Sequence, residues 1–231
     1  MLQNEDSVTL LFLAKNTMAG STRSPVLMTT IKIFCYGGKR KRDFMKQRFI
    51  DLLLCSGREK IEDLIRYLEY QTDFFTAPAS TRFHGACEQG LLEHSLAVYD
   101  NLCRLAAAYE LPFAAAEVTI CALLHDVCKA NFYKRGTRNR KNPETGAWEQ
   151  VLVYEIEDLL PLGHGEKSVM LLQQYISLSR EEMLAIRWHM GGFDDSASGM
   201  NRRTLSQAMS SCSLVTALQM ADLAACYFDE K

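Results

Sequence analysis

Two aspartates constrain this chain more than any other feature. Asp126 closes the apolar run Ile120-Cys121-Ala122-Leu123-Leu124, and Asp222 shares a helical face with Leu214, Leu218, Ala221 and Ala225. Residues three, four or eight apart lie on one side of a helix. Asp222 therefore points into apolar interior, and Asp126 stands at its edge. An ionised carboxylate in such a place is costly unless it is paired or bound to a cation. Whatever fold forms must bring partners to both.

The five histidines are His84, His94, His125, His164 and His189. All but His84 stand inside or at the ends of apolar helical segments, and His94 shares a face with Leu91, Val98 and Leu102. A lone inward histidine is more often a hydrogen-bonded core residue than a ligand. Two inward aspartates, several inward histidines and few inward lysines or arginines favour a metal over a salt bridge. His125 and Asp126 are neighbours, about 100° apart on a helix. They can flank one cation only where a helix end faces the cluster. Mixed imidazole and carboxylate ligands suit Mn, Fe, Co, Ni or Zn, with Mg also admitted, and leave positions open for water and substrate.

The remaining pattern predicts an all-α bundle. Phe44–Leu54, Arg58–Tyr70, Leu91–Tyr109, Phe113–Lys129 and Gly165–Ser177 read as helices. The capping box Ser179-Arg180-Glu181-Glu182 opens another that runs to about His189, and the last spans about Ser213–Phe228. Between Asn131 and Pro161 the turn signal Asn142-Pro143-Glu144-Thr145-Gly146 precedes Trp148–Ile156, a strand-like run, so a β-hairpin excursion is expected at about 131–160. Residues 1–43 show no helical period and are expected to form a weakly ordered arm ending in the basic run Lys39-Arg40-Lys41-Arg42. The domain is then 44–231.

A formal net charge of −2 excludes a polycation that coats nucleic acid, so such binding needs a local patch. The eight cysteines form no C-x-x-C pair and read as buried thiols of a reducing, cytoplasmic compartment. Val8–Ala14 is too short to span a bilayer and follows Glu5 and Asp6, unlike a signal peptide. No membrane partner is expected.

The order His94, then Ala122-Leu123-Leu124-His125-Asp126-Val127-Cys128-Lys129, then Ala221-Asp222 resembles the HD-domain metal-dependent phosphohydrolase superfamily. Phe83–Ser95, Pro161–Ser168 and Ile186–Asp194 look like a bacterial branch of it, and the resemblance covers about Phe44–Tyr227. It implies that His94, His125, Asp126 and Asp222 hold a metal, and that His164 and His189 hold a second one bridged by Asp126. Some dinuclear relatives have paired histidines where this chain has His189-Met190, so one ligand of the second metal is missing. One or two ions per chain are expected.

The resemblance also implies catalysis through Asp126, with Lys129 placed to take a substrate phosphate. Read alone, Lys129 is as readily a lysine snorkelling at a helix C-terminus. His84, beside Arg82, is a candidate proton donor or substrate contact, or an ordinary loop histidine. In the excursion, Arg138 is a candidate substrate contact among Lys134, Arg135, Arg140 and Lys141, with Tyr133 and Trp148 nearby. Basic residues interleaved with aromatics can hold a nucleotide or a phosphodiester chain. They are more often solvated hairpin surface, and a lid over the metal site also fits. The function expected is hydrolysis of a phosphate ester of a nucleotide, another phosphorylated small molecule or a short nucleic acid. The alternative is a non-catalytic metal- or nucleotide-binding module acting in signalling.

Overall fold

The computed structural model describes residues 38–82, 85–194 and 201–229, all within the unit Ile31–Lys231. Among these residues eight α-helices form the bundle: α1 (Gly38–Cys55), α2 (Ile61–Tyr70), α3 (Gly90–Ala108), α4 (Ala115–Leu124), α5 (His164–Leu172), α6 (Arg180–Trp188), α7 (Asn201–Ser211) and α8 (Ser213–Ala224). The hairpin pairs β1 (Tyr133–Lys141) with β2 (Trp148–Ile156), antiparallel, from Tyr133 opposite Ile156 to Lys141 opposite Trp148. The architecture is the all-α bundle with a hairpin excursion that the periodicity predicts.

Each helix forms for a local reason and is held by its buried stripe. In α2, Ile61, Leu64, Ile65 and Leu68 are buried at helical spacing, and Glu62 and Asp63 complement the N-terminal dipole. α3 is the central helix. It packs against α1, α4 and α8, and buries Leu91, Leu92, Val98 and Leu102 completely. Burying a side chain of this size stabilises the fold by about 1.5–3 kcal/mol before entropy is counted. Phe49 of α1 meets Phe74 and Phe75 with ring centroids 5.1 and 5.5 Å away, which seats α1 on the connection after α2. α6 has the predicted capping box: Ser179 Oγ accepts the Glu182 N–H at 3.0 Å, and Glu182 Oε2 accepts the Ser179 N–H at 2.7 Å. Glu182 is fully buried, and its other oxygen is paired with Arg58.

Several boundaries differ from the periodic reading. The basic run lies in α1, which begins at Gly38, because Lys and Arg are good helix formers and nothing after Gly38 breaks the turn. Most of the predicted arm, residues 1–37, lies outside the described residues. The segment Phe113–Lys129 is not one helix. α4 stops at Leu124, Asp126 leaves the helical region (φ −104°, ψ 19°), and Val127–Lys129 is a separate 3₁₀ turn. α5 ends at Leu172, not Ser177, where Tyr175 turns away to stack on Tyr67 at 4.6 Å. α8 closes in a π-turn, Ala225–Asp229. α7 is an additional helix that the periodicity does not signal. No disulfide joins the described cysteines, but Cys55 and Cys87 are exposed instead of buried, being at a helix end and in a loop. Among the described residues no single helix is long and apolar enough to cross a membrane.

Candidate metal centre

Six side chains from five helices and their ends meet at one place. His94 comes from the second turn of α3, His125 caps the C-terminus of α4, and Asp126 follows it. His164 is the first residue of α5, His189 caps the C-terminus of α6, and Asp222 lies in the last turn of α8. The helix break after Leu124 is what lets the adjacent His125 and Asp126 face one centre. The C-terminal ends of α4 and α6 and the N-terminal end of α5 thus meet at the cluster.

Asp126 is the hub. Its Oδ2 lies 3.6 Å from His94 Nε2 and 3.5 Å from His125 Nε2, and its Oδ1 lies 2.7 Å from His164 Nε2 and 3.4 Å from His189 Nε2. The two oxygens therefore face two different sets of imidazoles. Asp222 Oδ1 sits 3.2 Å from His94 Nε2. Potential ligand atoms of His94, His125 and Asp126, of Asp126, His164 and His189, and of His94, Asp222 and Cys226 each fall within 4.8 Å of one another.

The Nδ1 contacts fix how two of the rings face the cluster. His125 Nδ1 donates to Ala122 O at 2.9 Å and His189 Nδ1 donates to Ile186 O at 2.7 Å, the same device at two helix ends. With Nδ1 so engaged, each ring turns its Nε2 inward, as metal-binding histidines do. His189 Nε2 is buried, has no hydrogen-bond partner among the described residues, and looks at a carboxylate oxygen. His125 Nε2 looks at His94 Nε2, 3.2 Å away, and at the other oxygen of Asp126. An unpartnered Nε2 facing a carboxylate oxygen, as at His189, is reconciled by a cation between them. The donor set therefore fits a divalent ion bound by nitrogen and oxygen.

Electrostatics agree. Burial works to raise the Asp126 carboxyl, but Lys129, then His125 and His164, outweigh it and hold the group well below the usual carboxylate range. Burial likewise opposes ionisation of Asp222, and His94 overcomes it through a hydrogen bond and its charge. His164 is pushed up to about 10: burial opposes its charge, and Cys128 and Asp126 more than offset that. His189 is lowered, mainly by burial. Lys129 Nζ stands 2.7 Å from Asp126 Oδ2 and is raised despite burial, chiefly by that carboxylate.

The cluster floors a pocket of about 560 Å³. Asp126, Lys129, His189 and Asp222 form its floor, Tyr133 and Ile156 of the hairpin base one wall, and Phe193 and Tyr227 part of another. Lys129 is the one lysine or arginine among the described lining residues. Arg82 is exposed in the loop after Thr81, which reaches the pocket, while Arg82 itself is not among the lining residues. His84 lies outside the described residues. Arg138 is exposed, five residues along β1 from the pocket wall at Tyr133 and paired with Val151; it does not line the pocket.

Two residues of the cluster escape sequence reasoning. Cys128 Sγ lies 3.3 Å from His164 Nδ1, on the side of the ring away from Asp126, and Cys226 Sγ lies 3.6 Å from Asp222 Oδ1. The signal was their spacing, two residues after Asp126 and four after Asp222.

Fold and centre define a helical bundle with an inward His/Asp cluster compatible with a divalent cation. Residues 91–224 match the HD domain family, more than half of the chain and a span that contains all six clustered residues. The chain belongs to the HD domain family. None of the curated proteins and no solved structure matches it.

Proposed function

We propose that this protein is a metal-dependent phosphohydrolase that cleaves a phosphate ester of a nucleotide or a short nucleic acid, in the cytoplasm. His94, His125, Asp126 and Asp222 would hold one divalent ion, and His164 and His189, with Asp126 shared, a second. An ion there lowers the pKa of a coordinated water toward neutrality and offsets charge on phosphoryl oxygens. The observation that carries the reading is the inward Nε2 lone pair of His189 facing a carboxylate oxygen at the floor of a pocket.

The chain's own residues supply the rest. Lys129 puts a positive charge where a phosphate reaching the floor would lie. Tyr133, Phe193 and Tyr227 give the walls aromatic surface, against which a flat base can pack. His164, held between Cys128 and Asp126, can keep a proton at Nε2 for the carboxylate, or release it to solvent and offer the freed Nε2 to a second ion. Mixed nitrogen and oxygen ligation suits Mn, Fe, Co, Ni or Zn.

The test is elemental analysis of the purified chain, with turnover of p-nitrophenyl phosphate and bis-p-nitrophenyl phosphate in Mn²⁺, for the wild type and Asp126→Ala. About one or two ions per chain and ester cleavage, both lost in the variant, are expected. Metal retained with no turnover of either ester would instead make it a non-catalytic binding module.

A further inference from the structure

The hairpin sorts its charges between its two faces. Directly opposed residues of an antiparallel pair share a face, and successive residues alternate. One face therefore carries Tyr133/Ile156, Arg135/Tyr154, Thr137/Leu152, Asn139/Gln150 and Lys141/Trp148. The other carries Lys134/Glu155, Gly136/Val153, Arg138/Val151 and Arg140/Glu149. Both carboxylates of the strands lie on this second face, in register with Lys134 and Arg140, although Lys134 itself pairs with Glu157 and Glu149 accepts from Asn142. The first face has two cations and no carboxylate, and its cations stand opposite aromatic rings. Its apolar members are open to solvent: Trp148 is 73%, Leu152 62% and Ile156 60% exposed.

This first face is continuous with the metal pocket, because its innermost pair, Tyr133 and Ile156, forms the pocket wall. Its base is fixed. Lys167 of α5 holds Asp158 at 2.5 Å and lies 4.9 Å over the Phe132 ring, and the Glu157 N–H donates to Phe132 O at 2.9 Å. α5 also begins with His164, so the face keeps its position relative to the cluster. From Tyr133 to Lys141 it runs about 26 Å, at about 3.3 Å per residue. Among the described residues, the ion pair to its cations from outside the strands, Arg135 with Glu88 at 3.9 Å, is exposed and weak.

We propose that this face is a track for single-stranded nucleic acid whose end enters the metal pocket. Bases stack on Trp148 and Tyr154, Arg135 and Lys141 meet the phosphates, and Leu152 and Ile156 cover the stretch down to the floor. An absence of carboxylates with alternating rings and cations is what a sequence-tolerant strand binder needs. A duplex cannot offer its bases to the rings. Arg138, on the opposite face, is excluded from the track. The proposal rests on the hydrolase reading only for the fate of the strand's end.

The experiment is fluorescence anisotropy of a fluorescein-labelled twelve-nucleotide single strand, as RNA and as DNA, and of the same sequence as a duplex, with the full chain. Arg135→Ala/Lys141→Ala and Lys134→Ala/Arg140→Ala each remove two positive charges, one pair from each face. The first double variant and Trp148→Ala are expected to weaken single-strand binding by about tenfold or more. The first should also reduce the slope of log K against log salt by about 1.4. The second double variant should change affinity by less than about twofold, and melting curves check that all remain folded. Equal losses from both faces, no single-strand binding, or a duplex bound as tightly would overturn the track, as would self-association through the exposed apolar strip. Turnover of bis-p-nitrophenyl phosphate by the same wild-type preparation separates the two claims. A cut diester with no oligonucleotide bound defeats the track alone. Face-selective binding with no ester cut supports the track and defeats the hydrolase.

Discussion

Replacing Asp126 by Asn keeps the shape of the hub and removes its charge, which tests the centre in two ways at once. Asp126 is 2% exposed, and its partner Lys129 has a side chain 14% exposed, with 2.7 Å between them. Breaking a buried pair by removing one partner costs about 3–5 kcal/mol, because the other charge stays behind uncompensated. For a chain of this length 1 kcal/mol moves the melting temperature by roughly 2–4 °C. In EDTA, Asp126→Asn should therefore melt about 6–20 °C below the wild type. With Mn²⁺ at a hundred times its Kd, the wild type should gain about 2.7 kcal/mol, a rise of roughly 5–11 °C, and the variant essentially nothing. Differential scanning calorimetry with and without EDTA reads both numbers. A variant that keeps the full Mn²⁺-dependent rise would show that Asp126 binds no ion. One that matches the wild type in EDTA would show that its pair with Lys129 carries no stability.

Other expectations follow from single contacts. A Cβ on Gly165 would lie 2.2 Å from Arg187 O, so Gly165→Ala must push α5 from α6 and part His164 from His189; urea denaturation should show a loss of about 1–3 kcal/mol together with a lower metal content. Ser179→Ala removes the cap of α6 and should cost about 1 kcal/mol in the same assay, with metal content unchanged. The Tyr99 hydroxyl is pushed up to about 12, by burial first and then by Cys103. The folded chain keeps this proton where the unfolded chain loses it. Its contribution is therefore fully present below pH 10 and is lost as pH rises from 10 toward 12; Tyr99→Phe should flatten the fall of melting temperature across that window.

What could be read in the sequence was whatever depended on helical period. Asp222 and His94 are inward because Leu218, Ala221, Leu91 and Val98 beside them are buried, and their spacing carries that information. The helix end at His125-Asp126 could be stated only as a condition for the two to share a centre, and the periodic reading still carries the helix through to Lys129, where the structure stops it at Leu124. α7 was not legible because only Leu205 and Ala208 of its eleven residues are buried, leaving no stripe to find. β1 carries hardly any apolar residue and is a strand through its pairing with β2, a non-local cause. The contact of Cys128 with His164 depends on how α5 is placed, which no local pattern encodes, whereas that of Cys226 with Asp222 is a contact four residues along the end of α8. The face on which each hairpin charge lies needed the register, which sets Arg138 opposite Val151.

Asp222 sits near the end of α8, where a helix ordinarily frays. Here the π-turn beyond it is tethered: Asn101 of α3 donates to Asp229 Oδ2 at 2.6 Å. The helix that contributes Asp222 is thus fastened to the helix that contributes His94 on both sides of the carboxylate, by the packed Leu214, Val215 and Leu218 before it and by this tether after it. For an ion held between the two, the rate of escape would be set by how often the end of α8 lifts away, a sub-global opening, and not by ligand strength alone. Cutting the tether would hasten exchange of the ion with solvent while leaving every ligand in place.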